Sequence, residues 1–285
     1  MKLISWNIQW CRGCDGKVDP ARIVEHARAL ADFDVLCLQE VSSNFAAPAL
    51  AGSRGENQFE RLAELLPGYI AVPGIAVDVP GPNGRRSLFG NMIFSRYPVL
   101  QVQRIRLPWP SDPEVRSMPR MLIDATVEAP FGLLRVMTTH LEYYSQVQRA
   151  AQVEALRAHH AEACGHAARD RSIDASGGPF HSHRHTAAAI LTGDFNMRPE
   201  GPLKARIEAP FDDASVPALE DVWRALHPGV PHPATSGVHD REQWPEAFAC
   251  DFAFATRDLR GRLRSIAVDG MTQASDHQPV VVDVG

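Results

Sequence analysis

The chain has few cysteines, no long apolar run and no excess of positive charge, and each shortage closes off a class of function. Its five cysteines (Cys11, Cys14, Cys37, Cys164, Cys250) are odd in number, in a 285-residue chain with a core large enough not to need disulfide staples. They read as plain thiols in a reducing cytoplasm. Cys11 and Cys14 form a CxxC, but no second CxxC completes a zinc site, and the segment does not open a thioredoxin-like strand-to-helix unit. No stretch approaches the roughly 18 uncharged apolar residues that span a bilayer, so no membrane span is expected. The apolar start, residues 3–8, contains Asn7 and is too short for a signal-peptide core; it reads as a strand of the mature protein. A formal net charge of -5 argues against an extended grip on duplex nucleic acid, which needs clustered Lys and Arg. A small phosphate ester or a nucleic-acid end fits that charge better.

What is present is a hydrophobic content of 45%, enough for one large α/β domain over residues 1–285. Asp19-Pro20 supplies an N-cap and a first-turn proline, and Ile23, Val24, Ala27 and Leu30 recur at helical spacing, predicting a helix to Ala31. Residues 34–38 form a buried strand that ends at Gln39-Glu40, so the chain opens in a βαβ-like way. A second helix is expected at 59–66, stopped by Pro67-Gly68. Residues 79–87 are turn chemistry throughout and feed a strand at 88–94. Strands at 121–128 and 133–139 pair as a hairpin across Ala-Pro-Phe-Gly, and the second runs into His140. A helix follows at 143–164. Residues 165–187, with four histidines and Gly177-Gly178-Pro179, read as a mobile surface insertion. Later strands are expected at 188–192, 249–256, 263–268 and 279–284, with helices at 203–207 and 221–226 and a loop at 227–245. Alternating strands and helices plus an antiparallel hairpin predict a mixed α/β sandwich.

Four polar fragments stand at the ends of these apolar runs: Ser5-Trp6-Asn7, Gln39-Glu40, Gly193-Asp194-Phe195-Asn196 and Ser275-Asp276-His277. Strand ends are where a rigid sheet presents polar groups to a cleft, so distant fragments can converge there. Carboxylates, amides and a histidine together suit metal-assisted hydrolysis of a phosphate ester. Asp194 is placed to hold or deprotonate an attacking water, and Asn196 to fix that water or a phosphoryl oxygen. Glu40 ends a strand too apolar for an unpartnered carboxylate, so it is a candidate ligand for a hard divalent ion, Mg²⁺ or Mn²⁺. Asn7 and Asp276 are candidates to complete that shell or to hold its waters. His277 is the candidate donor to the phosphoryl oxygen, with Asp251 fixing its tautomer. His140 is a candidate second donor, and Arg149, one helical turn from Gln152, a candidate to buttress the site or contact a phosphate.

In this order, these fragments resemble the endonuclease/exonuclease/phosphatase superfamily, the group with the DNase I-like fold. The resemblance runs from Trp6-Asn7 to Asp276-His277, and residues 90–98 (Gly-Asn-Met-Ile-Phe-Ser-Arg-Tyr-Pro) look like the family strand before the central histidine. It implies a four-layer α/β/β/α sandwich of two mixed β-sheets and a divalent-metal phosphoesterase. Carried onto matching positions, Glu40 is a metal ligand, Asn7 and Asp276 lie near metal or phosphate, Asp194 and Asn196 at the attacking water, and His277 with Asp251 at the phosphoryl group. His140-Leu141-Glu142, then Arg149 and Gln152, are more similar to the branch of sphingomyelinases and tyrosyl-DNA phosphodiesterases than to abasic-site endonucleases. Gln9 departs from the pattern, standing where some members carry an acidic ligand.

The expectation is a monomeric, metal-dependent phosphodiesterase or nuclease acting on nucleic-acid ends or nucleotides. A sphingomyelinase-like phospholipid phosphodiesterase and a small-molecule phosphomonoesterase are the alternatives within the class. A non-catalytic binding module with the same fold is the alternative outside it, and it predicts a gap among the polar positions where none occurs.

Overall fold

Alternation along the first strand sets the layers. In β1 (Lys2–Asn7), Leu3 faces a core between two sheets, while Ile4 and Trp6 face a second core under helices. Both faces are covered, so the segment reads as one continuous apolar run. The chain leaves β1 through α1 (Pro20–Leu30) and returns in β2 (Val35–Ser43), parallel to β1. Asp19 caps α1 by accepting from the Ala21 and Arg22 N–H groups, Pro20 occupies the first turn, and Ile23, Val24 and Ala27 are buried.

The computed structural model describes residues 1–169, 173–241 and 243–285. Beside β1 and β2, the first sheet contains β3 (Ile70–Pro80), β4 (Arg86–Ser95), β11 (Leu263–Val268) and β12 (Val280–Val284), in the order β11-β12-β1-β2-β4-β3. The second contains β5 (Val99–Arg106), β6 (Met121–Ala129), β7 (Gly132–His140), β8 (Ala189–Asp194), β9 (Leu219–Asp221) and β10 (Asp251–Thr256), in the order β5-β6-β7-β8-β10-β9. Leu3, Val35 and Ile93 meet Ile123, Val136 and Ile190 between the sheets. With α1, α2 (Gln58–Leu65) covers the outside of the first sheet; α3 (Gln146–Ala168) and α4 (Pro202–Glu208) cover the second. A last short helix, α5 (Val222–Leu226), packs against β10 and β11. The architecture is the four-layer α/β/β/α sandwich of two mixed sheets.

Several elements differ from the sequence reading. β3 is a full strand that was not predicted, because Pro73 and Gly74 interrupt its pattern; at a sheet edge a missing N–H is tolerated. It runs to Pro80 and β4 starts at Arg86, so the predicted loop at 79–87 shrinks to a tight connection. β5 is likewise an unpredicted edge strand, half-exposed and polar in alternation. α3 continues to Ala168, into the segment expected to be an insertion, and residues 173–187 form neither helix nor strand. Residues 170–172 of that segment, and residue 242 of the 227–245 loop, lie outside the described residues. All five cysteines are free thiols. Among the described residues no helix is long and apolar enough to cross a membrane.

Candidate active site

Strand register assembles half of the site. β7 and β8 run parallel with His140 opposite Asp194, and β10 runs antiparallel to β8 with Asp251 opposite Asp194. One row across three strand ends therefore holds His140, Asp194 and Asp251. Gly193 makes the close approach possible: its φ is 142°, and a Cβ there would lie 1.9 Å from the Thr139 carbonyl oxygen.

The first sheet supplies the facing half. Asn7 ends β1 with Gln39 beside it, and Glu40 follows where pairing between β2 and β4 shifts register between Leu38 and Val41. The sequence reading put Glu40 at a strand end; it sits instead in a β-bulge inside β2, at φ 63°. The bulge turns the carboxylate out of the ladder and toward Asn7. The Asn7 amide then joins the sheets, donating to Glu40 Oε1 and to Asp194 Oδ2, each at 3.0 Å. Its oxygen accepts the Gln9 N–H at 3.1 Å, which fixes the amide orientation. Asn7 thus turns its nitrogen toward the two carboxylates and links the candidate metal ligand Glu40 to Asp194.

His277 comes from the loop before β12. The Trp6 indole, fully buried, donates to the His277 carbonyl at 2.9 Å and anchors that loop on β1. Ser275 Oγ adds a tie to the Asn7 carbonyl at 2.8 Å. His277 Nδ1 lies 2.9 Å from Asp251 Oδ2, leaving Nε2 to face Asp194 Oδ2 at 3.8 Å. On the other side, His140 Nε2 is 3.5 Å from the same Asp194 oxygen and 3.9 Å from Glu40 Oε1.

Burial and crowding tune these groups apart. Burial, with the Asp276 charge, pushes Glu40 up to about 7, although Asn7 opposes the shift. Burial and the neighbouring Asp251 push Asp194 up to about 6, although His277 and the hydrogen bonds from Asn196 and Asn7 oppose the shift. Burial, Arg120 and His277 hold His140 well below the usual histidine range, as a neutral ring. Burial works the same way on His277, but the neighbouring Asp251 and Asp276 carboxylates outweigh it and raise His277 well above its ordinary value. A cationic and a neutral imidazole thus flank one carboxylate.

Asp276 has a different setting. Its Oδ2 accepts from Gln9 Nε2 at 2.9 Å, Trp244 Nε1 at 3.1 Å and Gln243 Nε2 at 3.3 Å. Asn196 donates its side-chain amide to the Leu141 carbonyl at 2.9 Å, while its backbone N–H donates to Asp194 Oδ1. Arg149 Nη1 holds the Glu142 and Tyr143 carbonyls, both at 2.7 Å, and so braces the turn after His140. Gln152, which shares its helix face, accepts the Glu142 N–H at 2.9 Å. Asn196 and Arg149 line a groove of about 900 Å³ that leads away from the site past Tyr143, Arg198, Trp244 and Phe248.

Three residues at the site went unread in the sequence. Cys250 Sγ lies 3.4 Å from Asp251 Oδ2 and, with Asp194 and His277, offers ligand atoms within 4.8 Å of one another. Burial raises Cys250 well above the usual thiol range, which keeps it a protonated donor to Asp251. Thr235 Oγ1 accepts the Cys250 and Asp251 N–H groups at 3.0 Å. Gln243 reaches Asp276 from a loop whose sequence carries no pattern. Only Cys250, next to Asp251 in the chain, left a signal that adjacency alone could have exposed.

The model of the endonuclease/exonuclease/phosphatase family matches residues 4–277. The chain belongs to this family. No curated protein sequence matches the chain. Among solved structures, an endonuclease/exonuclease/phosphatase from Beutenbergia cavernae is 27% identical, with a TM-score of 0.64 over 100% of this chain and 72% of that one. Mannosyl-6-phosphatase of Bacteroides thetaiotaomicron aligns at 16% identity and a TM-score of 0.65, over 100% and 99% of the two chains. D. rerio TDP2, solved with a single-strand DNA product, aligns at 19% identity and a TM-score of 0.63, over 100% and 98%. The last two likenesses show a shared fold.

Proposed function

We propose that this chain is a divalent-metal-dependent phosphodiesterase acting on nucleic-acid ends or nucleotides. The observation that carries the reading is Asp194, held by the Asn7 amide and flanked at 3.5 and 3.8 Å by His140 and His277. A carboxylate held between two imidazoles, its proton affinity raised by burial, suits removal of a proton from water beside a phosphoryl group.

The Glu40 carboxylate is a hard oxygen donor of the kind a divalent cation takes. Burial first, and then the nearby Asp276 carboxylate, push Glu40 up to about 7, and a cation beside it would offset that cost. Glu40 would hold such an ion, and Mg²⁺ or Mn²⁺ there supplies Lewis-acid charge to a phosphoryl oxygen. The protein's own groups account for the rest. Asp194 takes the proton of the attacking water, and Asn196 borders the space the phosphate enters. His277, oriented by Asp251, donates to the oxygen on which charge builds, and neutral His140 donates from the other side.

A diester is favoured over a monoester by the groove of about 900 Å³, which leaves room for a second substituent on the phosphate. Five free thiols support a reducing compartment for this chemistry. The binding-module reading needs a gap in the polar set, whereas Glu40, Asp194, His277 and Asp251 all stand at the site. A substrate panel tests the proposal: an abasic duplex, a 5′-tyrosyl oligonucleotide, a single-stranded oligonucleotide, sphingomyelin and p-nitrophenyl phosphate, with Mg²⁺, Mn²⁺ or chelator. Metal-dependent turnover confined to the nucleic-acid members is expected. Turnover of sphingomyelin or of the monoester alone would contradict it.

A further inference from the structure

Asp276 is buried, yet its Oδ2 is already satisfied by three N–H donors from three side chains, Gln9, Gln243 and Trp244. Each donor would have to be displaced for that oxygen to face an ion. A carboxylate with its lone pairs filled by protein donors is stable in a buried site without a cation. One of the donors, Gln9, stands where the family resemblance allows an acid; an acid there would repel Asp276, and the amide binds it instead.

The chain bears local strain to present that amide. Gln9, Trp10 and Cys11 have φ of 44°, 44° and 60°, three successive non-glycine residues in the left-handed region. Gln9 Nε2 also donates to Gln243 Oε1 at 3.1 Å, and Arg12 Nη1 donates to Gln9 Oε1 at 3.3 Å, which fixes the orientation of the Gln9 amide. The far side of the same network is the loop that carries Trp244. The Trp244 ring meets Tyr143 edge to face, with centroids 5.6 Å apart, and meets Phe248 at 5.9 Å. Gly237 leaves room for this packing, since a Cβ there would lie 2.6 Å from Trp244 Cβ.

We infer that Gln9 and Asp276 are positioning residues that latch Trp244 in place, making it with Tyr143 the aromatic wall of the groove beside the scissile phosphate. Aromatic faces at that place accept a flat ring, and Arg198, which lies over the Phe248 ring at 4.5 Å, adds positive charge beyond it. The substrate class this fits is a phosphodiester whose second substituent carries a nucleobase. That part rests on the phosphoesterase reading; the latch does not.

Two measurements separate them. In the ¹⁵N spectrum of the full chain the five tryptophan indoles give five N–H signals, and Trp244 is the one lost in Trp244→Phe. A charge-assisted bond to Asp276 places the Trp244 signal downfield. In Asp276→Asn it is expected to move upfield, while Mg²⁺ added to the unaltered chain leaves it in place. A signal unchanged in Asp276→Asn, or moved by Mg²⁺ to the Asp276→Asn position, would overturn the latch. In the kinetic arm, thymidine 5′-(p-nitrophenyl phosphate) is compared with methyl p-nitrophenyl phosphate. Trp244→Ala is expected to raise KM for the thymidine ester about tenfold more than for the methyl ester, with the smaller change in kcat. Equal changes for both esters would overturn the nucleobase assignment. Turnover of neither ester would count against the phosphoesterase reading, and the indole spectra would still decide the latch.

Discussion

Asp251 Oδ2 stands 2.9 Å from His277 Nδ1, and the two residues come from different elements, the first position of β10 and the loop before β12. The carboxylate accepts the Nδ1 proton and so decides which nitrogen faces Asp194. Asp251→Asn should lower kcat on the order of 10²-fold while Mn²⁺ affinity measured by calorimetry changes little, and His277→Ala should lose at least as much. Full activity in His277→Ala would refute the mechanism.

Glu40 differs from these in what it touches. It hydrogen-bonds Asn7 and stands 3.9 Å from His140 Nε2. Glu40→Ala is expected to reduce metal affinity and turnover together, read by calorimetric titration and by the metal concentration at half-maximal rate. A loss of turnover with unchanged metal affinity would move the ion elsewhere.

Much of this site was legible because strand ends announce themselves. Asp194, Asp276 and His277 each border a buried apolar run, and the pairing of His277 with Asp251 follows from an acid placed at the start of Phe252-Ala253-Phe254-Ala255. Glu40 was legible as a residue but not as a geometry, since a β-bulge is a matter of pairing between β2 and β4 and not of local composition. The edge strands β3 and β5 were hidden for the same reason: Pro73, Gly74 and alternating polar residues look like loop until a neighbouring strand is there to pair with. The bond from the Gln9 N–H to the Asn7 side chain leaves no mark in the sequence, because its donor is a backbone group, which no side-chain pattern records.

A buried histidine outside the site gives a pH prediction. His160 donates from Nε2 to the Pro217 carbonyl at 2.9 Å and accepts at Nδ1 from Arg135 at 3.2 Å, so the fold holds it neutral. Burial lowers it from 6.5 to about 4, even though the Pro217 carbonyl favours the charged form. The unfolded chain therefore takes up a proton below about pH 6.5 that the folded chain refuses until about pH 4. Stability is fully present above 6.5 and falls as pH drops through that window, by on the order of 3 kcal/mol. Urea unfolding at pH 7 and pH 4.5 should show a smaller loss for His160→Gln than for the unaltered chain; equal losses would exclude His160 as the cause.

The segment 173–186 contributes no strand or helix and lies at the end of α3, which runs on to Ala168. Replacing those residues with a short Gly-Ser linker should leave turnover within a few-fold, because loop length costs little. A large fall in kcat would instead make the segment part of the substrate site.

The most direct measurement of the central claim is hydrolysis of bis-p-nitrophenyl phosphate by the unaltered chain and by Asp194→Asn, each with Mg²⁺ and with chelator. Turnover that requires Mg²⁺ and drops by 10²-fold or more in Asp194→Asn is the predicted result. Turnover that survives chelation, or that Asp194→Asn retains, would contradict it.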